Sequence, residues 1–287
     1  MTIYDLTGKI CLVTGATRGI GEVTARELAR QGAAVTIVGR SPERAAASAA
    51  RIKAATGASV ETLIADLASQ AQVRRLADEF QARHSRLDVL VNNAGAVFTR
   101  RAESADGIEM TWALNHMSYF LLTNLLLGAL RAAPAGRIVS VASDAHRGAR
   151  INFEDPQFKR GYNGWRAYSQ SKLANILFTV ELARRLAGSS VTANALHPGF
   201  VASGFGHNNG TLFGILIGLA QRVAAIGAEE GAQTSVYLAS APELAGVSGM
   251  YYEKRRPVAP SPEAQDIAAA ARLWQISEEL VQAGIDH

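Results

Sequence analysis

The chain has 287 residues, 48% of them hydrophobic and 19% charged, enough apolar material for a sizeable core and too much for a disordered chain. With 29 basic against 25 acidic residues the formal charge is +4, too weak an excess to mark a nucleic-acid binder. The single cysteine, Cys11, excludes an intrachain disulfide and fits a reducing, cytoplasmic setting.

The opening residues lack a basic stretch followed by an apolar one, so no secretory leader is predicted. Ile10 to Thr14 reads as a buried strand ending at Gly15. Gly19 to Gln31 has helical spacing, with Gly32 as a stop. Ala34 to Val38 is a second strand, and Pro42 to Ala55 a helix with proline in its first turn. Val60 to Ala65 is a third strand, Ser69 to His84 a serine-capped helix, and Leu87 to Val91 a fourth strand. One long helix is predicted over Ala105 to Leu130 and another over Arg166 to Leu186. Arg137 to Val141 and Val191 to Leu196 are the fifth and sixth strands. The remainder is mostly helical, with a short strand candidate at Val247 to Tyr251.

Strict strand–helix alternation with unalternated apolar strands implies a parallel sheet covered on both faces. The fold class is therefore α/β: a single doubly wound Rossmann domain over 1–287, with a mostly parallel sheet of about seven strands. No linker or repeat divides the chain. The most lipid-like stretch, Thr211 to Ala220, is about half the ~20 residues that a spanning helix needs, so no membrane span is expected.

The segment Thr14-Gly15-Ala16-Thr17-Arg18-Gly19-Ile20-Gly21 joins the first strand to the first helix. Glycines there allow a tight turn and let backbone N–H groups approach a pyrophosphate at the helix N-terminus. An NAD site usually offers an acid about 20 residues further on. Here Arg40 stands at that place, with Arg18 in the turn as a second cation. Two guanidinium groups favour a 2′-phosphate, so NADP(H) is predicted over NAD(H).

Tyr168 and Lys172 stand four residues apart and share a helix face. An ammonium near a phenol stabilises phenolate, so the tyrosine pKa is expected below about 10, suiting acid/base work. Ser143, at the end of the fifth strand, can donate to a carbonyl or developing alkoxide. Asn115 lies inside an apolar helix, where its amide needs a partner. His116, His146 and His197 show no metal-ligand spacing, and no metal is predicted. Lys254-Arg255-Arg256 reads as a solvated charge run.

These motifs, with Asp66-Leu67, Asn92-Asn93-Ala94-Gly95 and His197-Pro198-Gly199 in order, resemble the short-chain dehydrogenase/reductase family over nearly the whole chain. Asn115-His116, Ser143-Asp144-Ala145-His146, Ser171-Lys172-Leu173-Ala174-Asn175 and Arg272-Leu273-Trp274 are similar to its retinol dehydrogenase-like group. The resemblance implies Tyr168 as the proton-transferring residue, Ser143 positioning the substrate oxygen, Lys172 acting on the tyrosine and the nicotinamide ribose, and Asn115 in a proton relay. It implies a cofactor site of Gly15, Thr17, Arg18, Gly19, Ile20, Gly21, Arg40, Asp66, Leu67, Asn92, Ala94, Gly95, Tyr168, Lys172, Pro198, Gly199, Val201 and Ser203, the last where relatives often have threonine. It further implies a homo-oligomer, dimer or tetramer, with the long helices around 105–130 and 166–186 as pairing surfaces.

Substrate choice falls to the segments 147–165 and 200–226 and to a C-terminal extension from about 253. The second segment, with Phe205, Phe213 and Leu216 among glycines, is read as an apolar lid, as a helix packed on the core or on a partner subunit, or as a peripheral membrane contact. A lid would favour a lipophilic alcohol, aldehyde or ketone. The leading reading is an NADP(H)-dependent oxidoreductase. A catalytically silent NADP(H)-binding sensor, or a dehydratase or epimerase using the same tyrosine, are the alternatives.

Overall fold

The computed structural model describes residues 4–199 and 227–282. Its strands are β1 (Ile10–Thr14), β2 (Ala34–Gly39), β3 (Glu61–Ile64), β4 (Val89–Asn92), β5 (Arg137–Val141), β6 (Thr192–His197), β7 (Tyr251–Glu253) and β8 (Arg256–Pro257). They form one eight-stranded sheet in the order β3-β2-β1-β4-β5-β6-β7-β8. All neighbouring pairs are parallel except β7 with β8. The strand order reverses between β1 and β4, and ligands of open α/β sheets bind at such a switch point.

The helices that flank the sheet start where the side chains dictate. Helix α1 (Gly19–Arg30) opens directly on the glycine turn. Helix α2 (Pro42–Thr56) has Pro42 in its first turn and Ser41 capping the Arg44 N–H at 3.2 Å. Ser69 caps α3 (Gln70–Arg83), and Asn163 caps the Arg166 N–H of the 22-residue helix over Gly164–Arg185 at 3.0 Å.

Between them, the helix expected over 105–130 is broken into pieces. Glu109 accepts from the N–H groups of Thr111 and Trp112 at 2.9 and 2.8 Å, so helix begins only at α4 (Met110–Trp112). Gly107 N–H bonds back to Ser104 O at 3.0 Å, which makes the preceding residues a turn. A π-helical turn follows at Ala113–Met117, then α5 (Ser118–Leu125) and α6 (Leu127–Arg131). The long helix Gly164–Arg185 is α7, and α8 (Ala228–Ser240) and α9 (Ile267–Gln282) complete the set among the described residues.

The apolar side chains divide by sheet face, as strand alternation requires. Cys11 and Val13 of β1 pack with Leu28 of α1, Ile52 of α2 and Leu238 of α8. Leu12 points to the other face, with Phe80 of α3, Leu122 of α5, Phe178 of α7 and Trp274 of α9. Helix α9 lies on α7 through Trp274, whose ring stacks 5.9 Å from Phe178 and meets Phe120 edge-on at 4.9 Å. The chain's own C-terminal helix therefore covers one face of α5 and α7.

The edge strand also differs from expectation. Val247 to Met250 does not extend as a strand, because the Asn194 amide holds it as a loop, donating to Val247 O at 2.7 Å and accepting from Met250 N–H at 3.0 Å. The strand starts at Tyr251. Lys254 and Arg255 then take φ values of 49° and 64°, and the chain turns back as β8. Two members of the charge run Lys254-Arg255-Arg256 are thus the exposed tip of a hairpin.

Candidate active site

At the switch point, the loop after β4 is tied to the glycine turn after β1. Thr14 Oγ1 accepts from the N–H groups of Asn93 and Ala94 at 2.9 and 3.1 Å. Asn93 Nδ2 donates to Thr14 O at 2.8 Å and Gly15 O at 3.3 Å. The two loops touch so closely that side chains are excluded. A Cβ on Gly15, whose φ is +63°, would sit 2.8 Å from Ala94 Cα, and one on Gly21 would sit 2.5 Å from Asn93 Nδ2. Asn93 is therefore part of the frame, although the sequence reading selected Asn92, Ala94 and Gly95. Asn92 turns its amide onto Thr123 of α5 at 2.9 Å.

Thr17 to Gly21 complete the turn, and α2 braces it from outside. Ser48 Oγ donates to Ala16 O at 3.0 Å, while Arg51 bonds Thr17 O at 3.3 Å and pairs with Glu22. Arg18 sits in extended backbone just before α1. Its pKa is lowered first by burial and then by repulsion from Arg44 and Arg40. Three guanidinium groups thus converge beside the turn, Arg40 and Arg44 both exposed and without an ion pair among the described residues. The sequence reading missed Arg44. Its signal was available, since a helix begun at Pro42 holds residue 44 in its first turn, next to the end of β2.

The flanking candidates lie at strand ends. Asp66 follows β3 and accepts from the Ala68 N–H at 3.0 Å, while Leu67 is buried in the core. Pro198 and Gly199 follow β6, with Gly199 at φ +90°. Val201, Ser203 and the segment 200–226 lie outside the described residues.

The catalytic candidates come together beside Gly95. Ser143 follows β5 and shares a side-chain hydrogen bond with Tyr168 of α7. Ser143 Oγ also accepts from the Ala145 N–H at 3.2 Å. One helical turn beyond Tyr168, Lys172 is buried, its Nζ 5.7 Å from the Tyr168 ring centroid and donating to Val141 O at 2.9 Å. Asn115 stands in the π-helical turn, a local feature frequent at functional sites. Its Oδ1 accepts from the Ala96 N–H at 2.9 Å, and its Nδ2 donates to Ala96 O and to Ser171 Oγ, each at 3.0 Å. Ser171 in turn donates to Tyr168 O at 2.7 Å. A Cβ on Gly95 would meet Asn115 Oδ1 at 3.3 Å and Lys172 Nζ at 3.4 Å, so Gly95 is where the dinucleotide turn and the catalytic cluster meet.

Electrostatics here run against one expectation. The Tyr168 phenol is not lowered below its ordinary range; burial pushes it up to about 12, opposed by the Ser143 hydrogen bond. Burial likewise brings Lys172 down to about 7. The physical reason is that both charged forms lose water, and the Lys172 ammonium directs its hydrogen bond to Val141 O. At neutral pH the phenol is therefore protonated, and burial weakens the lysine's hold on its proton.

The aromatic residues of 147–165 divide sharply. Phe153 lies under the Arg272 guanidinium at 4.4 Å, Phe158 is buried, and Tyr162 donates to Phe98 O at 2.8 Å. Trp165 is 61% exposed, its ring 5.6 Å from that of Tyr168. His116 is buried against Trp112 and bonds Ser277 of α9 at 2.9 Å. Among the described residues no three His, Cys, Asp or Glu side chains gather as metal ligands, and no helix is long and apolar enough to cross a membrane.

A doubly wound sheet with a glycine turn at its switch point and a Ser-Tyr-Lys-Asn cluster next to it defines a nucleotide-dependent oxidoreductase class. The short chain dehydrogenase family model matches residues 9–211, and the chain belongs to that family. Within it, the chain falls in the retinol dehydrogenase-like subgroup and is an alcohol/carbonyl oxidoreductase. It is 43% identical to human retinol dehydrogenase 13 over 282 residues, covering 96% of this chain and 85% of that one. It is 42% identical to mouse retinol dehydrogenase 14, covering 96% and 86%. Among solved structures, an uncharacterized protein from Mycobacterium paratuberculosis aligns with TM-score 0.80 and 38% identity over 98% of this chain and 96% of that one. The Pseudomonas aeruginosa RhlG/NADP active-site complex aligns with TM-score 0.69 and 32% identity over 88% of this chain and 96% of that one.

Proposed function

We propose that the chain is an NADP(H)-dependent carbonyl reductase or alcohol dehydrogenase for a lipophilic substrate, with Tyr168 as the general acid/base. The observation that carries this reading is the buried Tyr168, hydrogen-bonded to Ser143 and one turn from Lys172, beside the Gly95 end of the dinucleotide turn. Gly15 and Gly21 let the turn pack directly against Ala94 and Asn93, and the turn opens on the α1 N-terminus, whose free N–H groups suit a pyrophosphate. Arg18, Arg40 and Arg44 repel one another and would gain from a shared dianion, which supports a 2′-phosphate and hence NADP(H). When bound, the nicotinamide supplies or accepts the hydride.

The chain's own residues do the rest. Ser143 Oγ already accepts from Ala145 N–H, so its hydroxyl proton is available to a substrate oxygen. Tyr168 gives its proton to that oxygen in reduction and takes it back in oxidation. Its raised pKa leaves it protonated at neutral pH, the form that donates to a substrate oxygen. Asn115 holds the tyrosine's helix against the loop after β4, and Lys172 ties it to the end of β5 through Val141 O. Exposed Trp165 beside Tyr168 supports an apolar substrate wall, and the retinol dehydrogenase relatives point the same way. In this reading 1–287 is one catalytic unit, with 147–165 and 200–226 on the substrate side, and the lone Cys11 supports a cytoplasmic location.

The deciding experiment follows NADPH and NADH oxidation with retinoid, steroid, aliphatic and aromatic carbonyl compounds. Turnover of apolar carbonyls with NADPH over NADH is expected. Binding of NADPH without turnover of any class would overturn the reading in favour of a silent cofactor binder.

A further inference from the structure

The peptide group that follows Ser143 is held at both edges by imidazoles. Its carbonyl, Ser143 O, lies 2.7 Å from His146 Nδ1, and its N–H, on Asp144, donates to His197 Nδ1 at 3.2 Å. The tautomers follow from the other bonds. His146 Nε2 accepts from the Ser261 N–H at 3.1 Å, so the His146 proton sits on Nδ1 and is given to Ser143 O. His197 receives at Nδ1, so its proton sits on Nε2. His146 is fully buried with the Tyr251 ring edge-on at 5.1 Å, and the C-terminal segment adds a second tie where Arg147 bonds Ala259 O at 3.4 Å.

We propose, resting on the oxidoreductase reading above, that His146 and His197 are positioning residues which clamp the Ser143–Asp144 peptide plane and thereby aim the Ser143 hydroxyl. The consequence for the fold is that β6 and the C-terminal segment at Ser261, remote in sequence from Ser143, set where its oxygen stands. Without either bond this peptide is free to shift as a whole, carrying the Ser143 Cα and with it Oγ relative to Tyr168. A misplacement of about 1 Å in a catalytic group costs on the order of a hundredfold in rate. Burial disfavours the charged form of both imidazoles, which agrees with the neutral tautomers that the clamp needs.

Asparagine separates this role from simple packing, because its amide reaches the place of Nδ1 and can donate to Ser143 O or accept from Asp144 N–H. The full-length chain is assayed with NADPH and the best carbonyl of the panel, as wild type and as His146→Ala, His146→Asn, His197→Ala and His197→Asn. Each alanine variant is expected to lose roughly ten- to a hundredfold in kcat with KM for NADPH unchanged, and each asparagine variant to recover most of it. Alanine variants with wild-type kcat, or asparagine variants as impaired as alanine, overturn the clamp. Nitrogen-15 NMR of labelled histidines in the wild type reads the tautomers without any variant, and needs no turnover. A proton on His146 Nε2 or on His197 Nδ1 overturns the proposal; Nδ1–H for His146 with Nε2–H for His197 supports it. If the wild type turns over no carbonyl, the oxidoreductase reading fails while the tautomers remain readable.

Discussion

The two halves of the site solve opposite problems. Around the glycine turn, Arg40 and Arg44 stand in water beside Arg18, without an ion pair of their own among the described residues. Around Tyr168, the side chains of Tyr168, Lys172, Ser171 and Asn115 are withdrawn from water, Ser143 is half-buried, and Asn115 satisfies both its donors and its acceptor within the protein. Exposed like charges confer selectivity for a ligand charge, since water screens their mutual cost. Buried neutral groups confer control over protonation, since burial moves pKa values by several units. In the proposed reading, the first region awaits its ligand and the second is assembled from the chain's own bonds.

That contrast can be broken by substitutions on either side. The largest effect is expected for Tyr168→Phe, which should lower kcat by about 10²–10⁴-fold with NADPH affinity retained, measured by steady-state kinetics and fluorescence titration. Parallel loss of NADPH binding would join the two regions that the structure separates. Arg40→Asp should weaken NADPH by roughly ten- to a hundredfold and leave NADH nearly unchanged, with Arg44→Ala a smaller version of the same. Equal losses for both cofactors would remove the phosphate role.

The effect that is smallest per step, a stability slope of at most about tenfold per pH unit, sharpens the buried half. Unfolded, Lys172 holds its proton to about its ordinary pKa of 10.5; folded, only to about 7. Between these values the unfolded chain binds more protons, so stability rises with pH through that window and falls as pH drops toward 7. Lys172→Met removes this dependence. Its stability relative to wild type should therefore improve as pH falls from about 10 to about 7, by at most about 1.4 kcal/mol per pH unit, read by denaturant unfolding. A pH-independent difference would show that Lys172 is hydrated in the folded state.

Much of this protein is local and so legible in one dimension. Apolar runs of strand length, Pro42 and the capping serines, and the four-residue Tyr168–Lys172 spacing depend on near neighbours, and they specify the doubly wound sheet and the catalytic helix. What distance decides was not legible. Asn92 faces Thr123 of α5, 31 residues on, and Asn93 ties its loop to Thr14 and Gly15 of the glycine turn. The tyrosine is the clearest case. Spacing alone set an ammonium beside a phenol and implied a lowered pKa, whereas packing withdrew both from water and raised it. The sequence by itself determined which groups share the site and in what order the chain delivers them. Only the tertiary structure decided their charge states and the grip of two histidines on the serine's peptide, because solvation and hydrogen-bond partners belong to the packed chain as a whole.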